Sequence, residues 1–214
     1  MVAELGRWAL TEATRQMAQW RRQGVQVPQV AVNLSTRNFQ EEGLVALVAG
    51  LLAANVSRDI GFHFLRLGTA IEQADMTTRI IDAGASGLVT PRSEDDREAY
   101  QNMQWMAVLR ALAAYQMYRR HVRQRVSGTH ALRFLLHNGE FPRSVQFCLT
   151  RIQRIVPALP PRPAVDRAVS RAVGLVRQAD PDALAAADPS RFMDEVQVYM
   201  GRLHEAVAAG YFSD

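Results

Sequence analysis

The stretch FHFLRLGTAIEQADMTTRIIDAGASGL, residues 62–88, decides the fold class of this chain. Its apolar and small side chains recur at alternating spacings of four and three residues, which is the period of one helix face. That face consists of Leu67, Ile71, Ala74, Thr78, Ile81, Ala85 and Leu88. We therefore predict one long helix over residues 62–88, with this face packed against a core.

Helical spacing continues to the end of the chain. A second long helix is predicted from the acidic residues 94–96 to about residue 125, with Gly128 ending it. Shorter helices are predicted over residues 131–137, 144–156, 164–178 and 190–209. The segments HNGEFPR, LPPRP and DPDALAAADP are expected to connect them, because proline and glycine interrupt helices. This pattern predicts a helical bundle.

The N-terminal part of the chain contains a different element. After an amphipathic helix over residues 5–22, which Gly24 ends, the β-branched run VAVNLS at residues 30–35 predicts a buried strand. Ser35 or Thr36 is expected to open the next helix, which we place at residues 44–54. The predicted fold is therefore mainly α, a helical bundle preceded by a helix–strand–helix fragment. The predicted domains are residues 1–56 and 57–214.

Composition restricts the class of protein. With 48% hydrophobic and 21% charged residues, the chain has the composition of a globular domain. Its apolar runs are shorter than the ~20 residues of a membrane span, and its N-terminus lacks a signal-peptide pattern. We expect a cytoplasmic protein with no membrane association. Cys148, the single cysteine, lies in the apolar string VQFCL and is expected to be a buried structural thiol.

The basic character of the chain comes from arginine alone. All 25 Lys+Arg residues are arginines, and arginine raises the pI of 9.8 above what lysine would give at the same net charge of +4. No nucleic-acid-binding motif occurs, so we expect no nucleic-acid partner. The five histidines share no short spacing, and we expect neither a metal cluster nor a cofactor.

Charged residues follow the edge of the first long helix. Glu72, Asp75, Arg79 and Asp82 recur at helical spacing beside the apolar face. Arg79 can pair with Asp75 and Asp82, which leaves Glu72 to find an arginine on another helix. The candidate arginines are Arg110, Arg119, Arg120, Arg123, Arg125 and Arg133.

Two interpretations of these charges stay open. One is a structural network of interhelical ion pairs. The other is a pocket for an anion or a carboxylate substrate, built from Glu72, Asp75, Arg79, Tyr115, Tyr118, Arg119 and Arg120. Arg143, at a predicted helix start, can reach either Glu140 or a partner.

Residues 4–55 carry a recognisable pattern in Leu5, Gly6, Trp8, Trp20, Gly24 and the run VAVNLS. This pattern resembles the EAL family of cyclic-di-GMP phosphodiesterases, whose fold is a β/α barrel. The resemblance implies a metal ligand at Asn33, but a divalent cation needs about six oxygen ligands. The chain also lacks the family's further acidic motifs and has no lysine. We expect a fragment of such a barrel, with a vestigial Asn33 that holds no metal, and no hydrolysis of cyclic-di-GMP.

Residues 58–214 contain three distinctive strings. They are FHFLRLGTAIEQADMTTRIID, WMAVLRALAAYQMYRRHVRQRVSG and LRFLLHNGEFPRSVQFCL. The strings resemble the alpha-E family of bacterial all-helical proteins. The resemblance implies a glutamate-arginine pair that begins at Glu72, where this chain has Gln73 in place of the arginine. Glutamine lacks the fixed charge and the bidentate fork of arginine.

The alpha-E resemblance implies an accessory role. Alpha-E proteins are associated with ATP-grasp-type ligases and transglutaminase-like proteins in peptide-modifying systems, so we expect a non-catalytic helical binding module with such a partner. Three alternatives stay open. The chain is a small-molecule enzyme or carrier that uses Glu72 and the Arg119–Arg120 pair, a degenerate EAL-type protein that binds cyclic-di-GMP without turnover, or a recombined chain with no selected function.

Overall fold

The computed structural model of the chain describes residues 2–25, 30–34, 43–55, 57–85 and 97–213. Within these ranges the regular structure is helical, which confirms the mainly α prediction. None of the described helices has the length and apolar character that crossing a bilayer requires. The helices are α1 Val2–Arg22, α2 Leu44–Asn55, α3 Ile60–Ala85, α4 Arg97–Ala111, α5 Tyr115–Val122, α6 Gly128–His137, α7 Val145–Ile155, α8 Pro163–Arg177, α9 Pro181–Ala186 and α10 Ser190–Tyr211, with a 3-10 turn at Val156–Ala158.

The chain divides into two compact units, Met1–Phe62 and His63–Asp214. The predicted domain boundary between residues 56 and 57 stays a prediction. In the first unit, α1 ends before Gly24, as expected, and Gly24 has a φ of +77°, which glycine adopts without a steric cost. Leu5 and Trp8 on α1 are 63% and 62% exposed, so its apolar face is not buried at these positions.

The predicted strand at VAVNLS is not formed in the part of this segment that the structure describes. Residues 30–34 have no regular secondary structure, and Val30, Ala31 and Asn33 are exposed. A strand needs a neighbouring strand to pair with its backbone N–H and C=O groups, and the described residues offer none. The prediction of a buried strand is therefore wrong for these residues. The helix start predicted at Ser35 or Thr36 lies outside the described residues.

In the second unit, the predicted apolar face of α3 is buried. Leu67, Ala74, Thr78 and Ile81 are fully buried and Ile71 is 7% exposed. The Thr78 hydroxyl donates a hydrogen bond to the Asp75 carbonyl oxygen at 2.7 Å, which satisfies a polar group within the core. The helix prediction is confirmed through residue 85, and Leu88 lies outside the described residues.

The second long helix that we predicted is interrupted. α4 ends at Ala111 and α5 begins at Tyr115, because Ala113 adopts a left-handed conformation with a φ of 51°. A second left-handed residue, Arg123, with a φ of 54°, ends α5. Gly128 does not end a helix but begins α6, whose N-cap is Ser127. The single continuous helix to residue 125 is therefore wrong.

The remaining helices complete the core of the second unit. Ser144 caps α7 by accepting a hydrogen bond from the Phe147 N–H at 3.1 Å. The segment DPDALAAADP, predicted as a connection, contains α9, which Asp180 caps by accepting from the Asp182 N–H. Cys148 is fully buried, and burial raises the pKa of its thiol to about 11, so the structural thiol that we predicted is confirmed.

Gly84 marks a close approach between α3 and α4. A Cβ atom at this position would overlap the Cγ2 atom of Val108, which is itself 3% exposed. Gly174, within α8, differs in this respect, because none of the described atoms lies within 4 Å of the corresponding Cβ position. The two glycines therefore separate steric packing from intrinsic helix propensity.

Gly84→Ala is expected to lower the free energy of unfolding by about 1–2 kcal/mol, because the cost of overpacking exceeds the gain in helix propensity. Gly174→Ala should raise it by about 0.5–1 kcal/mol, since the added methyl meets only open space. Urea denaturation followed by circular dichroism measures both values. Similar effects of the two substitutions would show that Val108 does not restrict position 84.

Candidate functional site

The second unit contains a concave site lined by arginine, which we call the arginine cavity. Its volume is 760 Å³. The cavity lies at α4, at α5 and at the turn that follows α5. Its lining consists of Asn102, Met106, Tyr115, Arg119, Arg123, Gln124, Arg125 and Val126.

The position of this turn depends on Tyr118. Its side chain is fully buried, and its ring meets the Phe134 ring edge-on at 5.7 Å between centroids. Its hydroxyl donates a hydrogen bond to the Arg125 carbonyl oxygen at 3.1 Å. Burial raises the pKa of the phenol, which keeps it in the neutral form that donates this bond. Tyr118 therefore holds the turn against α6.

The electrostatic character of the cavity is positive. Arg119, Arg123 and Arg125 are exposed, and the lining has no acidic residue within the described part of the chain. Tyr115 is half-buried against the core, and the Arg110 guanidinium lies 5.3 Å from the centre of its ring. This is within the distance of a cation–π contact, which helps to hold the tyrosine at the cavity wall. The cavity thus presents arginine side chains and one aromatic ring to a ligand.

A second concave site lies between α3 and α10, and we call it the α3–α10 cleft. Its volume is 520 Å³. The lining residues are Gly68, Ile71, Glu72, Asp75 and Arg79 of α3, and Gln197, Met200, Gly201 and His204 of α10. Arg79 Nε donates to Asp75 Oδ2 at 2.6 Å, and this bond raises the pKa of Arg79. The pairing of Arg79 with Asp75 follows the prediction.

The structure places the predicted site residues in different locations. Glu72, Asp75 and Arg79 line the α3–α10 cleft, whereas Tyr115 and Arg119 line the arginine cavity. The predicted pocket is thus divided between two sites, and its other members lie in neither. Whether any of these residues binds a ligand stays a prediction.

Three predicted residues are outside both sites. Tyr118 is a core residue, so its ring cannot form a stacking surface with Tyr115. Arg120 is exposed and lines neither site. The Arg143 side chain is also exposed, and its carbonyl oxygen accepts a hydrogen bond from Thr77 Oγ1 at 2.8 Å.

The expected ion pair between Glu72 and the second long helix is wrong. Glu72 is exposed, and it forms no ion pair with Arg119 or Arg120 within the described residues. It lies instead beside α10, whose contribution to the cleft the sequence analysis missed. Residues of α10 are more than a hundred positions away from Glu72, so no local spacing relates them.

Three of the histidines line a smaller depression with a volume of 320 Å³. They are His121, His130 and His137. His121 Nδ1 lies 2.8 Å from the Met117 carbonyl oxygen, and its Nε2 lies 3.0 Å from Glu140 Oε2. Both acceptors favour the protonated ring and raise the pKa of His121. Among the described residues, no group of three or more His, Cys, Asp or Glu side chains is placed to hold a metal ion.

Comparison with known proteins identifies the family. The alpha-E family, described as a predicted alpha-helical domain with a conserved ER motif, matches residues 9–212. The chain therefore belongs to the alpha-E family. The match begins well before residue 58, where the resemblance was expected to start, and it includes most of the segment assigned to the EAL family. No adjacent Glu-Arg pair occurs anywhere in the sequence.

A short similarity links the chain to the oxygen sensor protein DosP of Escherichia coli (strain K12). The two are 38% identical over 53 residues, which is 25% of this chain and 7% of DosP. The chain thus corresponds to a small fraction of the length of this relative, and the match does not establish an EAL segment. No solved structure matches the chain.

Glu72→Gln is expected to change the free energy of unfolding by less than about 0.5 kcal/mol, because Glu72 is exposed and unpaired within the described residues. Double-mutant cycles with Arg119→Gln and with Arg120→Gln should give coupling below about 0.5 kcal/mol. Leu67→Ala, a core substitution on the same helix, should cost about 2–5 kcal/mol and shows that the assay detects real losses. A loss near 3 kcal/mol for Glu72→Gln would mean that this carboxylate has a buried partner.

Proposed function

We propose that this alpha-E chain is a non-catalytic helical binding module and an accessory component of a cytoplasmic peptide-modifying system. Its partner is an ATP-grasp-type ligase or a transglutaminase-like protein. The partner inserts an acidic segment into the arginine cavity. The free thiol of Cys148 fits a reducing compartment.

The arginine cavity is the observation that carries this proposal. Three arginines line it, and none of the lining residues that the structure describes is acidic. A guanidinium group binds a carboxylate through two parallel hydrogen bonds, and a concave wall limits competition from water. An acidic side chain of a protein partner therefore has a complementary place to bind.

A protein partner fits the cavity better than a nucleic acid does. Single-stranded nucleic acids bind to rows of exposed aromatic rings that stack successive bases. Tyr115 is half-buried and Tyr118 is fully buried, so the described lining of the cavity offers one aromatic ring rather than a row. The arrangement therefore favours a carboxylate ligand.

The chemistry of the described residues supports a non-catalytic role. The nucleophilic form of cysteine is the thiolate, and burial raises the pKa of Cys148 to about 11, so this residue stays protonated and inaccessible at neutral pH. The Tyr118 hydroxyl is committed to the Arg125 carbonyl oxygen. Binding is thus the chemistry that the arginine cavity performs best.

A second candidate function rests on residues 4–55 and on the short similarity to DosP. In this alternative, residues 1–56 are a degenerate EAL-type segment that binds cyclic-di-GMP without hydrolysing it, and residues 57–214 are the alpha-E-like domain. Asn33 is exposed in a segment without regular structure, and one amide oxygen is too few ligands for a metal ion. The accessory function requires the arginines of the cavity for binding, whereas the EAL-type function requires residues 1–56.

The double variant Arg119→Glu, Arg125→Glu is expected to weaken binding of an ATP-grasp-type or transglutaminase-like partner from the same organism at least about tenfold, since each lost charge-assisted hydrogen bond has a substantial cost. Isothermal titration calorimetry measures the affinity. The matched control is Arg167→Glu, Arg171→Glu, which makes the same change of charge on an exposed part of α8.

The control should bind normally, and binding should weaken with added salt. Equal losses in both double variants would point to net charge rather than to the arginine cavity. Titration of the same proteins with cyclic-di-GMP distinguishes the accessory function from the EAL-type function. The EAL-type function would be favoured if cyclic-di-GMP still binds to both double variants but no longer binds after residues 1–56 are removed. Failure of both partner classes to bind would contradict the accessory role.

A further inference from the structure

The α3–α10 cleft contains a carboxylate that the fold does not use. Asp75 is engaged by Arg79 Nε at 2.6 Å, whereas Glu72 has no hydrogen bond or ion pair with any described residue. Glu72 lies next to the apolar side chains of Ile71 and Met200 in the cleft lining. An exposed carboxylate that the fold leaves unpaired is free to accept hydrogen bonds from a cationic donor, and such charge-assisted bonds are the stronger ones. Glu72 is therefore suited to an ammonium group.

The same cleft contains hydrogen-bond donors, whereas the Glu72 carboxylate can only accept hydrogen bonds. Gln197 Nε2 is buried and has no acceptor among the residues that the structure describes. The terminal torsion of a glutamine is soft, so this amide can rotate toward an oxygen atom that enters the cleft. Arg79 donates its Nε hydrogen to Asp75, and its two terminal nitrogens have no hydrogen-bond partner among the described residues. A ligand with a carbonyl or carboxylate oxygen near its ammonium group would satisfy both kinds of group.

The shape of the cleft selects a small ligand. Gly68 on α3 and Gly201 on α10 both line it, and no atom of the described residues lies within 4 Å of either Cβ position. The missing side chains leave a volume of 520 Å³, which is in the range of small-molecule sites. Ile71 and Met200, 7% and 2% exposed, form an apolar surface within it. An aliphatic side chain fits such a surface.

We propose that the α3–α10 cleft binds the α-ammonium group and the adjoining carbonyl or carboxylate oxygen of an aliphatic amino acid, either free or as the first residue of a peptide. Glu72 binds the ammonium group, Gln197 and Arg79 bind the oxygen, and the side chain lies on Ile71 and Met200. This site goes beyond the accessory function proposed above. It shares no residue with the arginine cavity, so either proposal stands without the other.

Calorimetry and backbone amide NMR with four probes test this proposal on the full chain. L-leucine and the peptide Leu-Gly-Gly carry the complete set of groups. 4-Methylpentanoate lacks the amine, and 3-methylbutylamine lacks the carboxylate. We expect saturable binding of L-leucine or Leu-Gly-Gly at millimolar concentration or below, with shifts confined to α3 and α10, and binding at least about tenfold weaker for the two truncated probes. Tighter binding of Leu-Gly-Gly identifies a peptide terminus, and tighter binding of L-leucine a free amino acid.

Two variants and a control connect the binding to the cleft. Glu72→Gln should weaken binding at least about tenfold through loss of the charged acceptor. Gly201→Leu should abolish binding by filling the cleft. Glu195→Gln removes an exposed carboxylate of α10 that does not line the cleft, and should bind normally.

The proposal is overturned if neither complete probe binds, if 4-methylpentanoate binds as tightly as L-leucine, or if Glu72→Gln binds normally. If Gly201→Leu fails to fold, the result for Glu72→Gln decides, because this substitution leaves the packing unchanged. If the arginine variants lose partner binding but bind L-leucine normally, the two sites act independently and the assignment of the cleft stands.

Discussion

The burial of Tyr118 is the interaction on which the arginine cavity depends. Its ring packs edge-on against Phe134, and its hydroxyl reaches the Arg125 carbonyl oxygen across the left-handed residue Arg123. This contact fixes a turn directly after α5. Had the helix continued, Arg119 and Arg123 would lie on one face of it and Arg125 would point to the opposite side. Because the chain turns, these arginines line one cavity. An apolar packing contact thus sets the electrostatics of the site.

The separation of charge in the second unit follows from the same arrangement. Glu72 and Asp75 of α3 lie in the cleft with α10, so no carboxylate of α3 is among the residues that line the arginine cavity. The guanidinium groups are therefore not neutralised from α3. The α3–α10 cleft in turn keeps one carboxylate without a partner among the described residues. The result is a positively charged arginine cavity and a cleft with this unpaired carboxylate, whereas the sequence predicted one pocket that contains both kinds of charge.

Periodicity predicted the helices well because burial of one face requires it, as Leu67 and Ile81 on α3 show. It missed the break at Ala113, since an alanine gives no local signal for a left-handed conformation. The β-branched run at residues 30–34 predicted a strand, but strands need partners that sequence spacing does not reveal. The prediction of a single pocket was wrong for a related reason. The partner of Glu72 in its cleft is α10, and only tertiary packing brings the two helices together.

The most direct test of the arginine cavity as a partner-binding surface is site-specific photo-crosslinking. A photoreactive amino acid replaces Gln124, which lines the cavity, or Ala164, which is exposed on α8. After irradiation with an ATP-grasp-type or transglutaminase-like partner, mass spectrometry locates the crosslinked residues. The account predicts crosslinks from position 124 to an acidic segment of the partner and few from position 164. Crosslinks mainly from position 164, or none from position 124 while the partner is bound, would contradict it.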